Sequence, residues 1–176
     1  MKMQGFLFFS EIFKKSWHKI CYIALYKQFT ATCKRRAEMI EMVIAAHGGF
    51  AKELLYSVSL VVGPVNKCAA WSLNPGDNIE RTGLQLKELL DEMDDEEGGI
   101  VFTDIWGGTP ANLALKYSRN KNIKVISGAS LPMILEFVNV REELGLSETA
   151  ERCVEAARKG SVIISDLFNE RRKENG

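Results

Sequence analysis

From Glu41 onward, short apolar runs alternate with stripes of helical spacing. Met42 to Ala46 (MVIAA) has no polar break, the pattern of a strand buried on both faces, and His47-Gly48-Gly49 closes it with a tight exit. Phe50, Leu54, Leu55, Val58 and Val61-Val62 then recur at helical spacing until Gly63-Pro64 stops them. Cys68 to Leu73 (CAAWSL) predicts a second strand, and Asn74-Pro75-Gly76-Asp77 is written in turn residues. Asp77 or Asn78 can cap a helix that carries Ile79, Leu84, Leu86, Leu89-Leu90 and Met93. Asp94-Asp95-Glu96-Glu97 reads as a solvated loop. Gly99 to Thr103 (GIVFT) is a third strand ending at Asp104, and Thr109-Pro110 opens a helix through Leu113, Leu115 and Tyr117. Ile123 to Ser127 is a fourth strand ended by Gly128. Leu131 to Val140 and Ser147 to Arg158 follow as helices, and Val162-Ile163-Ile164 as a last short strand.

The order β-α-β-α-β-α-β-α-α-β predicts an α/β fold, doubly wound, with a mainly parallel sheet and helices on both faces. In such sheets a ligand sits beyond the carboxyl ends of the strands, where the strand order reverses. Residues that follow strands are therefore the first candidates for chemistry.

Composition divides the chain in two. Residues 1–38 hold 8 Lys/Arg, 2 Asp/Glu and 8 of the 16 aromatics, a net charge of +6. Residues 39–176 hold 15 Lys/Arg and 21 Asp/Glu, a net of −6, so the overall zero is a cancellation. A net charge of zero argues against a nucleic-acid binder. The apolar run from Ile20 to Tyr26 is far shorter than the ~20 residues of a spanning helix. Four cysteines without a CxxC pair read as reduced thiols of a cytoplasmic protein. The domains read as a basic aromatic extension over 1–38, a globular domain over 39–168 and a charged tail over 169–176. Two readings of the extension compete. It is a true segment that touches a membrane surface, or it is upstream sequence from a mis-assigned start, since Met39 and Met42 stand just before the first strand. The second is our expectation.

Three features follow strands. His47 is delivered by the first strand between glycines that expose it. Imidazole is the side chain suited to act as a neutral nucleophile near pH 7. Asp104 follows the third strand, where a carboxylate can accept from one ring nitrogen, fix the tautomer and leave the other nitrogen to attack. Trp106-Gly107-Gly108-Thr109-Pro110 leads into a helix whose free amides attract anions such as phosphate. Each alone has a plain reading, as a packed histidine, a surface carboxylate or a loop and cap. Together they form a coherent set for phosphoryl transfer through a phosphohistidine. Neither a GxxxxGK[ST] loop nor a dinucleotide fingerprint is present, and no convincing set of metal ligands or cofactor motif stands out.

Ala46-His47-Gly48-Gly49-Phe50-Ala51, then Thr103-Asp104-Ile105-Trp106-Gly107-Gly108-Thr109-Pro110-Ala111-Asn112, then Gly128-Ala129-Ser130-Leu131-Pro132-Met133 resemble the mannose-family enzyme IIA of the bacterial sugar phosphotransferase system. The resemblance runs from about Met39 to about Phe168. It implies that His47 is the phosphorylated histidine, through Nε2, and that Asp104 orients the ring. It implies that Trp106, Gly107, Gly108 and Thr109 shape the site and hold the phosphoryl oxygens. It implies a donor, the histidine phosphocarrier HPr, and an acceptor, enzyme IIB, which serves the membrane components IIC and IID. The sugar would be of the mannose, fructose, sorbose or amino-sugar class. It also implies a homodimer in which a C-terminal antiparallel strand, here Val162 to Ile164, is exchanged between subunits. One departure is visible: the family usually has Asn before Leu-Pro-Met, and this chain has the shorter Ser130. Two alternatives stand beside this reading. One is the phosphotransfer subunit of a dihydroxyacetone kinase, which does not usually carry the Trp-Gly-Gly-Thr-Pro loop. The other is a regulatory phosphohistidine module.

Overall fold

The computed structural model describes residues 39–166 and 168. The readings for 1–38 and for the tail 169–176 lie outside the described residues. Among the described residues four strands form, β1 (Glu41–His47), β2 (Cys68–Leu73), β3 (Gly99–Thr103) and β4 (Ile123–Ser127). Five helices join and follow them, α1 (Phe50–Val62), α2 (Ile79–Asp91), α3 (Thr109–Tyr117), α4 (Leu131–Val140) and α5 (Leu146–Gly160). All strand pairs are parallel, in the order β2-β1-β3-β4.

The central strands are apolar over Met42–Ala46 and Gly99–Phe102 because both faces are covered there. Along β1 successive side chains alternate between two cores. Met42, Ile44 and Ala46 join Ala51, Leu54 and Val58 of α1 and Met133, Ile134 and Phe137 of α4. Val43 and Ala45 join Leu86 and Leu90 of α2 and Ala114 of α3. Phe102 meets Phe137 edge to face, with ring centroids 5.5 Å apart. Trp71, buried on the α2 side, satisfies its indole N–H on the Thr82 carbonyl at 3.0 Å. The buried Arg141 lies over the Phe137 ring and donates to the Asn66 carbonyl at 2.8 Å.

Two expectations change. Ile79 and Leu84, read as part of the apolar stripe of α2, are exposed, and the buried positions are Gly83, Leu86 and Leu90. A Cβ at Gly83 would stand 3.3 Å from Leu113 and Tyr117 of α3, so the helix turns its smallest residue to its neighbour. Val162 to Ile164 forms no strand in the single chain. Val162 and Ile163 lie outside regular structure, and Ile164 opens a helical turn. A strand needs an edge to pair with, and this segment pairs with none among the described residues. Of the two cap candidates, Asn78 accepts from the Arg81 amide at 2.9 Å, while Asp77 ties the turn to the Asn74 amide. Among the described residues no helix is long and apolar enough to cross a membrane.

Candidate active site

The strand order fixes where a site can form. From β1 the chain crosses to β2 on one side, and β3 lies on the other, so the carboxyl ends of β1 and β3 flank the switch point. His47 is the last residue of β1, and Asp104 is the first after β3. Ala45 pairs with Thr103, which sets the two exits side by side.

One carboxylate oxygen binds His47 twice. Asp104 Oδ2 accepts from the His47 main-chain amide at 2.9 Å and lies 2.8 Å from ring Nδ1. The carboxylate thus takes up the place of the next ladder acceptor once β3 has ended. Asp104 Oδ1 accepts from the Ile105 amide at 2.9 Å. Burial pushes the Asp104 pKa up, but the hydrogen bonds from the His47 amide, the His47 ring and the Ile105 amide outweigh it and leave the net value below the usual carboxylate range. An ionised carboxylate only accepts, so Nδ1 carries the hydrogen, and in a neutral ring that leaves the lone pair on Nε2. The His47 side chain is 47% exposed and that of Asp104 18%. The ring is therefore held by a largely covered acid while its own side chain stays about half exposed.

By the alternation along β1, His47 shares its face with Val43 and Ala45, toward α3. The loop into α3 arrives there. Gly108 caps α3 and Pro110 lies in its first turn, where its missing N–H costs nothing. Gly108 reaches the ring: a Cβ on it would stand 3.1 Å from His47 Cε1. Thr109 is the first helical residue and half-buried. Trp106 is 82% exposed beside the exposed Ile105. So His47, Asp104 and Gly108 meet directly. Trp106, Gly107 and Thr109 border them on the same loop.

Two contributors escape the reading from sequence. The His47 amide is one, because main-chain donors leave no mark on residue type. Asn112 is the other: its Nδ2 donates to the Gly107 carbonyl at 3.1 Å and its amide to the Gly108 carbonyl at 3.0 Å, pinning the loop to α3. Ser130, the departure noted above, precedes α4 as its cap residue, yet its buried hydroxyl has no hydrogen-bond partner among the described residues. Pro132 removes one of the two amides such a hydroxyl usually serves.

Fold and pair define a class: a doubly wound α/β domain that presents an acid-oriented imidazole to solvent at its switch point. Comparisons with known proteins narrow it. Residues 41–154 match the EIIA-man family, described as "PTS system fructose IIA component". A sorbose-specific EIIA component of Klebsiella pneumoniae is 32% identical over 126 residues, which span 71% of this chain and 92% of that protein. A fructose-specific EIIA component of Bacillus subtilis is 26% identical over 129 residues, or 73% of this chain and 88% of that one. Among solved structures, the EIIA component of Streptococcus agalactiae superposes with a TM-score of 0.67 at 27% identity, covering 73% of this chain and 99% of that one. The chain belongs to the EIIA-man family: it is a IIA component of the phosphotransferase system, of the mannose, fructose and sorbose type. Components of this kind are phosphotransferases. Neither alternative read from the sequence is favoured by these matches.

Proposed function

We propose that His47 accepts a phosphoryl group on Nε2 from the phosphorylated histidine of an HPr-type carrier and passes it to an enzyme IIB component. One observation carries the reading: Asp104 Oδ2 at 2.8 Å from Nδ1 of a ring whose side chain is 47% exposed. In the transfer the Nε2 lone pair forms the new N–P bond as the donor's N–P bond breaks, and the donor imidazole leaves with that electron pair. The accepting ring becomes cationic, and the Asp104 carboxylate stabilises it through Nδ1–H. The amides and hydroxyl at the start of α3, on Gly107, Gly108 and Thr109, lie where the phosphoryl oxygens would collect. Trp106 and Ile105 offer the apolar rim on which a partner protein docks. The setting is cytoplasmic, and coupled uptake of a sugar of the mannose, fructose, sorbose or amino-sugar class follows through IIB and the membrane components IIC and IID.

The same reading includes a homodimer with an exchanged C-terminal strand. Three observations support it. β4 is an edge strand. A groove beside it is lined by Lys124, Val125, Ile126, Ala150, Val154 and Arg158. Val162, Ile163, Ile164 and Phe168 are exposed, a run of apolar residues that nothing among the described residues buries.

The test is incubation with phosphoenolpyruvate, enzyme I and HPr. The expected result is one acid-labile phosphate per chain, lost in His47→Ala. A His47→Ala protein that still takes the label would overturn the assignment.

A further inference from the structure

The two glycines before Thr109 answer different demands. Gly107 has φ +76°, and nothing lies within 4 Å of where its Cβ would stand. It is glycine for its backbone conformation. Gly108 has φ −67° and ψ 161°, a region open to every residue. What it lacks is room. A Cβ there would stand 2.9 Å from Ile105 Cγ2 and 3.1 Å from His47 Cε1.

We propose that the missing side chain of Gly108 makes it a positioning residue for the His47 ring. Cε1 lies between the two ring nitrogens, so pressure at that atom turns both at once. With no side chain on Gly108, the ring lies against the loop while Nδ1 meets Asp104. Asn112 makes the wall firm by binding the carbonyls of Gly107 and Gly108. The ring is thus bounded on one side by a hydrogen bond and on the other by a close backbone. This role rests on the reading of His47 as the phosphoryl acceptor, but the orientation of the ring can be measured without any transfer.

The experiment compares Gly108→Ala, Gly107→Ala and the double variant Ile105→Ala/Gly108→Ala. The ring 15N shifts of His47 report its tautomer, and the rate of phosphoryl uptake from phospho-HPr reports its use. Gly108→Ala should lose the single Nδ1–H tautomer and take up phosphate about 10- to 100-fold more slowly, as a misplaced nucleophile does. Gly107→Ala should keep the wild-type tautomer. The double variant relieves the contact with Ile105 and should keep the defect. A wild-type ring spectrum in folded Gly108→Ala, or a restored one in the double variant, would overturn the proposal. If Gly108→Ala does not fold, the double variant, in which the closer contact with Ile105 is relieved, decides: a lost Nδ1–H tautomer supports the wall, and an intact one refutes it. If the wild-type protein takes no phosphate from phospho-HPr, the functional reading fails, while the ring spectra still judge the positioning role.

Discussion

At the scale of single residues, the site depends on one carboxylate with three donors aimed at it: two from His47 and one from Ile105. Asp104→Asn keeps the shape but can donate as well as accept, so it no longer enforces one tautomer. Phosphoryl uptake should slow by about 10²-fold or more with the fold intact, as stopped-flow transfer and circular dichroism would show; a wild-type rate would exclude the orienting role. The same substitution should change stability in acid. The Asp104 pKa lies below that of an unfolded carboxyl near ~3.9. Its stabilisation is therefore complete above that value and fades as pH falls through the folded one. Below about pH 4 the wild type should lose stability more steeply than Asp104→Asn in urea melts. Residue type and place after a strand were enough to single out His47, Asp104 and the glycine loop. They could not show that Gly108 touches the ring, because glycine for space and glycine for backbone freedom are written with the same letter.

At the scale of elements, strands buried on both faces announce themselves. Met42–Ala46 and Gly99–Thr103 have no polar residue to blur their limits short of Thr103, whose buried hydroxyl is spent on the Ile126 carbonyl. Helix starts were legible where capping chemistry is local. Asn78→Ala should remove the bond to the Arg81 amide and cost about 1 kcal/mol. A denaturant midpoint shift at constant slope would show it; an unchanged midpoint would mean that Asp77 or solvent serves that amide equally well. Helix faces were less legible. Ile79 and Leu84 are apolar, yet α2 lies so that Gly83, Leu86 and Leu90 face inward. The tilt is set by how closely α3 can approach, and hydrophobicity along one helix does not encode that.

At the scale of the whole molecule, the pattern gave the α/β class, but the order β2-β1-β3-β4 came only from the structure. Burial on both faces tells a strand that it is central and not which strands are its neighbours. The C-terminal segment has the same difficulty: its apolar residues ask for cover, and composition cannot say whose surface supplies it. Deleting residues 162–176 should weaken self-association, and sedimentation should move toward the monomer; an unchanged dimer would remove the exchanged strand. The sheet has a further consequence through the way β1 ends. Its last amide bonds to a side chain, whereas a strand amide normally pairs with a neighbouring backbone. Ladder amides exchange their hydrogen only when the sheet opens, but the His47 amide is released as soon as Asp104 swings away or takes up a proton. In deuterated water this one amide should fade ahead of the rest of β1, giving a clock inside the folded domain for how often the acid lets go of its histidine.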